Sequence, residues 1–183
     1  TLKRFPTDSL EKIGEGSYGI AYLRQNAQQL TVIKRLKAKR LNKRHIVKFN
    51  QEIAFLQQLY HLPVPKIIEV GMIDDAPFYE MTYVLGHTFE QAIFDKHARY
   101  SLNEVFYYSK QLLQIVIRIH EQHIVHRDLR IPNILISNKQ LTIIDFGLAS
   151  SIDYTIEISS IRNPRKVKHP ISDLFEIGHF MLF

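Results

Sequence analysis

His126-Arg127-Asp128-Leu129-Arg130-Ile131-Pro132-Asn133 runs straight into Ile134-Leu135-Ile136, and Leu141-Thr142-Ile143-Ile144 then leads into Asp145-Phe146-Gly147. Both apolar runs are too short for helices and suit strands, and the polar residues Ser137 to Gln140 between them close a hairpin. Such a hairpin brings Asp128, Asn133 and Asp145 to one edge. The carboxylate of Asp145 and the side-chain carbonyl of Asn133 are hard oxygen donors suited to magnesium. Asp128 is a carboxylate that can orient an attacking hydroxyl. These are the parts that metal-assisted phosphoryl transfer requires.

The stretch resembles the protein kinase family: His126 to Asn133 matches its catalytic loop and Asp145 to Gly147 its metal-binding triplet. Upstream, strands are expected over 10–13, 20–24 and 30–36, with Gly14-Glu15-Gly16-Ser17-Tyr18-Gly19 as the first turn and polar residues 25–29 as the second. Glycines at this spacing also mark dinucleotide-binding folds, but those require a helix directly after them. Here the β-branched run Thr31-Val32-Ile33 follows instead, which favours hairpins. A glycine-rich hairpin lets backbone amides approach phosphates without side-chain collision.

Lys34 ends Thr31-Val32-Ile33-Lys34, where the family has Val-Ala-Ile-Lys. By position alone it would read as an exposed edge-strand lysine; the resemblance implies that it positions nucleotide phosphates. Ala21 stands for the family's valine after the glycines and Val32 for its alanine, so one large and one small residue still line the adenine. A helix is expected over 49–59, with Ile53, Leu56, Leu59 and Tyr60 at helical spacing. Glu52 reads by spacing as a surface acid, whereas the resemblance pairs it with Lys34 and packs Leu56 behind the metal triplet. Strands over 66–70 and 77–84 flank a turn at 71–76. Aligned with the family's hinge, Met81 backs the nucleotide pocket and Thr82 and Val84 offer backbone groups to adenine. Leu135 joins Gly14, Gly16, Gly19, Ala21, Val32 and Lys34 among the implied nucleotide contacts.

Thr88-x-x-Gln91 and Ser101-Leu102-Asn103-Glu104 both have capping-box form. The helix after Ser101, to about Gln122, carries Val105, Leu112, Leu113, Ile115, Val116, Ile117 and Ile119, apolar on nearly every face, and reads as a buried central helix. His120 and His123 read as structural or exposed, and His126 as a packed, hydrogen-bonded ring. Residues 148–170 correspond to the activation segment, with Ser150, Ser151, Tyr154, Thr155, Ser159 and Ser160 as possible phosphoacceptors. Arg127 is expected to pair with a phosphate there, or with Asp153 or Glu157. The family's Ala-Pro-Glu anchor is replaced by the basic, proline-broken stretch from Arg162 to Pro170. Asp173, at the start of the family's central helix, would hold the catalytic-loop backbone. The apolar end, Phe180-Met181-Leu182-Phe183, suggests a shortened fold or a surface covered in a homo-oligomer.

The totals are those of a soluble globular protein, 45% hydrophobic and 23% charged over 183 residues. No apolar run approaches the roughly 20 residues that span a bilayer, and no signal-peptide core follows the N-terminus, so a cytoplasmic setting is expected. Zero cysteine excludes disulfides, thiolate metal sites and a cysteine nucleophile. The formal charge of +6 is concentrated between Lys34 and Lys48, where no acid occurs. That strip reads as a solvated connection from strand to helix, with nucleic acid or an anionic surface as the alternative partner.

The expected fold is α+β and two-lobed: residues 1–9 a lead-in, 10–85 an antiparallel sheet with one helix, 86–183 a mainly helical lobe lacking its last helices. The resemblance implies transfer of the γ-phosphoryl of ATP to serine or threonine hydroxyls. Asp128 would act as the catalytic carboxylate, Asn133 and Asp145 as ligands of Mg2+, and Arg130 as a charge neutraliser, with Lys34 held by Glu52. Arginine at 130 is also found in tyrosine kinases, but Ile131-Pro132 departs from their pattern. A small-molecule kinase and a non-catalytic binding module are the rival readings.

Overall fold

The computed structural model describes residues 10–16, 18–25 and 29–182. The expected lead-in over 1–9, Ser17 of the glycine turn, residues 26–28 of the polar turn and Phe183 lie outside the described residues. The chain divides into two compact units, residues 1–57 with 65–84, and residues 58–64 with 85–183.

In the first unit β1 (Leu10–Glu15), β2 (Gly19–Gln25), β3 (Leu30–Leu36), β4 (Ile67–Ile73) and β5 (Ala76–Thr82) form an antiparallel sheet ordered β1-β2-β3-β5-β4. Strand alternation puts Val32, Lys34 and Leu36 on one face and Thr31, Ile33 and Arg35 on the other. Helix α1 (Lys43–Gln58) covers the first face, with the Phe49 ring 5.2 Å from that of Tyr79. The second face carries a small core of Ile33, Ile73 and Phe78, joined by Leu10. It also holds a buried acid, Glu80, which accepts from Arg24 Nη1 at 3.1 Å and from the Thr31 hydroxyl.

The link from β4 to β5 is tighter than expected. Asp74 and Asp75 both take positive φ, 46° and 59°, so a two-residue turn joins longer strands in place of the loop over 71–76. Gly71 lies within β4 opposite Phe78, where an added Cβ would come within 2.8 Å of the ring. β4 is an edge strand with Ile68, Val70 and Met72 exposed and a pairing irregularity between Ile67 and Glu69.

The basic strip is structured, and this corrects its reading as a connection. Ala38–Arg40 forms a 3-10 turn, and α1 begins at Lys43, six residues before Phe49. Asn42 caps it, its Oδ1 accepting from the His45 amide at 3.0 Å. Lysine and arginine are good helix formers, but without apolar periodicity they left the helix start hidden. Lys37 is engaged with Glu15, which Lys12 also contacts, and these hydrogen bonds pull the Glu15 carboxyl down to about 2. Ile53 and Leu56 are buried on α1 as their spacing predicts, whereas Tyr60 lies beyond the helix and is exposed.

In the second unit Thr88 and Gln91 form the expected reciprocal cap, ahead of a π-helical turn at Gln91–Asp95. Helix α2 (Leu102–Glu121) buries Tyr108, Leu112, Ile115, Val116 and Ile119 but exposes Phe106 and Ile117. It is one-sided, not buried all round as its composition suggested. Strands β6 (His87–Thr88), β8 (Ile134–Ser137) and β9 (Gln140–Ile143) form a sheet ordered β6-β8-β9, while β7 (Ile124–Val125) pairs with β10 (Ser150–Ser151). Positive φ at Asn138 and Lys139 closes the predicted hairpin at Ser137 and Gln140. Gly86 has φ 135°, and a Cβ there would lie 2.5 Å from the Ile136 carbonyl. Helix α3 (Ile171–Phe180) ends with Phe180 packed edge-on against Phe89, so the apolar terminus is partly accounted for within this unit. Among the described residues no helix is long and apolar enough to cross a membrane.

The α2 cap offers a direct test. The Ser101 hydroxyl accepts from the Glu104 amide, and the Glu104 carboxylate accepts from both the Ser101 hydroxyl and its amide, holding that carboxyl below its usual range. Ser101→Ala should lower stability by about 1 kcal/mol. A depressed carboxyl contributes stability above its unfolded pKa and loses it as pH falls through its folded pKa. Thermal melts from pH 6 down to 3 should therefore show the variant losing less of its remaining stability to acid than the parent.

Candidate active site

The first unit holds one group of the expected residues. Lys34 Nζ donates to Glu52 Oε1 at 2.7 Å, and Glu52 is buried on α1, so it is not the surface acid that spacing suggested. Strand register sets their neighbours. Ala21 lies opposite both Gly14 and Lys34, and Val32 lies opposite Met81, so these side chains share the α1-facing side of the sheet. Gly19 meets a close approach: a Cβ would stand 3.1 Å from the Arg35 carbonyl and 3.5 Å from Lys34 Cγ, while Gly16 has open space. Thr82 donates its amide to the Lys66 carbonyl at 2.9 Å, so its own carbonyl is the backbone group it can offer a ligand. Val84 follows the end of β5 and is half-buried.

The second unit gathers the other group. Asp128 receives Arg130 Nε at 2.5 Å and Nη2 at 3.1 Å, a two-pronged pair that raises Arg130 above its already high pKa. Asn133 Nδ2 donates to the Asp128 carbonyl at 2.9 Å and carboxylate at 2.8 Å. The Ile144 amide donates to the Asn133 backbone carbonyl at 3.0 Å, seating Asp145 next to that residue. Asp145 has φ 60°, and its Oδ1 accepts from the Gly147 amide at 3.3 Å. Leu135 is half-buried on β8, on the side opposite Ile134 and Ile136.

Two buried groups hold this arrangement. Asp173 is fully buried on α3 and accepts from the His126 amide at 2.9 Å and the Arg127 amide at 2.7 Å. His120 Nε2 lies 2.8 Å from the same carboxylate, a partner that sequence did not reveal because it sits on α2, 53 positions away. The His126 ring contacts Phe146 and accepts from the Asp128 amide through Nδ1 at 3.2 Å. Its Nε2 faces the Ile144 carbonyl at 3.3 Å. An amide only donates and a carbonyl only accepts, so these partners select the neutral ring protonated on Nε2.

The segment after Gly147 departs from expectation. Arg127 binds the carbonyls of Leu148 and Lys166, at 3.4 and 3.2 Å, in place of Asp153 or Glu157. Asp153 bonds Thr155 instead. Ser150 is buried in β10, which removes it from the surface where a phosphoacceptor must lie, whereas the exposed Tyr154 bonds His123 through its hydroxyl at 2.6 Å. Where Ala-Pro-Glu is missing, Arg165 pairs with Glu176 of α3 at 2.9 Å.

The oxygen donors suit magnesium. With Asn133 Nδ2 engaged by Asp128, its Oδ1 is the atom it could offer a metal, and Asp145 could offer its carboxylate. Among the described residues no group of three or more His, Cys, Asp or Glu could hold a metal. Magnesium bound with a nucleotide needs only one or two protein oxygens besides phosphates and water.

The sequence matches the family described as protein kinase domain over residues 7–165. It is 32% identical over 176 residues to the probable serine/threonine-protein kinase YbdM of Bacillus subtilis, a match covering 94% of this chain and 66% of that protein. The probable serine/threonine-protein kinase mkcB of Dictyostelium discoideum is 28% identical, with 89% of this chain and 23% of that protein covered. The probable cyclin-dependent kinase 10 of the same organism is 31% identical, with coverages of 82% and 42%. The chain thus spans just under two-thirds of the first relative and less than half of the others.

Proposed function

The chain belongs to the protein kinase domain family, and on that basis we propose that it transfers the γ-phosphoryl group of ATP to serine or threonine hydroxyls of proteins, its own included. The observation carrying this reading is the Asp128 carboxylate, fixed by Arg130 and 2.8 Å from Asn133, whose backbone in turn seats Asp145. The acceptor oxygen attacks the γ-phosphorus, the bond from that phosphorus to the β,γ-bridging oxygen breaks, and ADP departs. The hydroxyl proton passes to Asp128 and then to solvent. Arg130 neutralises charge on the transferred group, and Lys34, held by Glu52, takes the nucleotide phosphates. Asp145 and Asn133 would hold magnesium, which would supply positive charge to the phosphate oxygens. Gly14, Gly16, Gly19, Ala21, Val32, Met81, Thr82, Val84 and Leu135 contact the nucleotide. The names of the bacterial and amoeboid relatives support a serine/threonine acceptor, and a cytoplasmic setting supplies the ATP.

Incubation with γ-labelled ATP, magnesium and a mixture of proteins and small alcohols tests the proposal. Label should appear on phosphoserine or phosphothreonine and vanish on chelation of magnesium. Label on the small alcohols alone would replace the protein acceptor with a small molecule.

A further inference from the structure

Between Arg162 and Lys168 stand four cations, Arg162, Arg165, Lys166 and Lys168, with no acid among them, and all are exposed. One contact ties this stretch to the catalytic loop, and others tie it to the segment after Gly147 and to α3. Arg127, next to Asp128, donates from Nη2 to the Lys166 carbonyl at 3.2 Å, and the Asp153 amide donates to the Lys168 carbonyl at 2.7 Å. On the other side Arg165 Nε lies 2.9 Å from the buried Glu176, whose charge in turn acts on Arg130, the partner of Asp128. Glu176 thereby occupies Arg165, and Lys168 acts on Asp153. Arg162 and Lys166 have no acidic partner within ion-pair distance among the described residues.

A protein substrate must bring its acceptor hydroxyl to Asp128, and an extended peptide then lays neighbouring side chains about 3.3 Å apart along the surface beside it. We propose that the stretch from Arg162 to Lys168 selects acceptors flanked by aspartate or glutamate, with Arg162 and Lys166 as the specificity-determining side chains. The assignment rests on the phosphotransferase reading above. Nearness to Asp128 favours a substrate peptide over an anionic membrane, and solvent-exposed charges act on encounter and selectivity more than on fold.

The test compares kcat/KM for three synthetic peptides of equal length, identical except that the acceptor serine is flanked by Glu, Gln or Lys. The parent protein should prefer Glu over Gln by roughly tenfold at low salt, with the gap narrowing as salt rises. In the double variant Arg162→Glu with Lys166→Glu the ratio should fall to one or invert. Lys43→Glu, in the other unit, should leave the ratio as in the parent. Equal kcat/KM for Glu and Gln peptides in the parent overturns the inference, as does a preference that survives charge reversal. Binding to phosphatidylserine vesicles that the double variant loses, without any peptide preference, assigns the patch to a membrane and also overturns it. Transfer without selectivity leaves the kinase reading intact, whereas no transfer to any peptide or protein defeats both.

Discussion

Asp128→Asn should reduce phosphoryl transfer by about a hundred- to ten-thousand-fold, the range a positioned proton acceptor contributes. The substitution keeps the side-chain shape but removes the charge and most of the basicity. The loop should survive it. Arg130 is largely exposed and can turn to solvent, so losing that pair costs no more than about 1 kcal/mol. The Asn133 bond to the Asp128 backbone carbonyl does not depend on the carboxylate. Initial rates with labelled ATP, beside calorimetric ATP affinities, separate a chemical defect from a binding one. A rate within tenfold of the parent would remove Asp128 from the reaction.

Asp173→Ala should be the most disruptive change away from the reacting groups, destabilising the second unit by about 3–5 kcal/mol. The carboxylate is fully buried, and its oxygens take the amides of His126 and Arg127 and face His120. Alanine leaves those donors buried and unpaired, so the cost reflects lost satisfaction as much as lost attraction. Against the roughly 5–15 kcal/mol that holds typical domains together, this is a large fraction. Calorimetric melts should rank Asp173→Ala as the least stable, Asp173→Asn as intermediate and the parent as the most stable. A loss below 1 kcal/mol for alanine would show that water replaces the carboxylate.

The hairpin from Ile134 to Ile143 was legible because its apolar runs, polar turn and flanking acids are contiguous, as were the reciprocal caps at Thr88 and Ser101. Asp173 was legible too, through a motif that places it beside the loop it holds. Contacts between residues that no motif links were not. Glu80 reads as one acid in an apolar strand until strand pairing sets it near Arg24 and Thr31; its signal was a charge inside Phe78-Tyr79-Glu80-Met81. His120 and Glu176 find their partners only through the packing of α3. The start of α1 was hidden by a run of cations, and Arg127 chose backbone carbonyls over the acids that charge alone suggested.

The edge strand β4 has a bearing on handling the molecule. Ile68, Val70 and Met72 project from one face of a strand that, among the described residues, has a neighbour on only one side. Such a border can template cross-chain aggregation in concentrated samples. The irregular pairing between Ile67 and Glu69 interrupts the flat ladder that a growing fibril would copy. A variant with that irregularity straightened should precipitate at lower concentration than the parent.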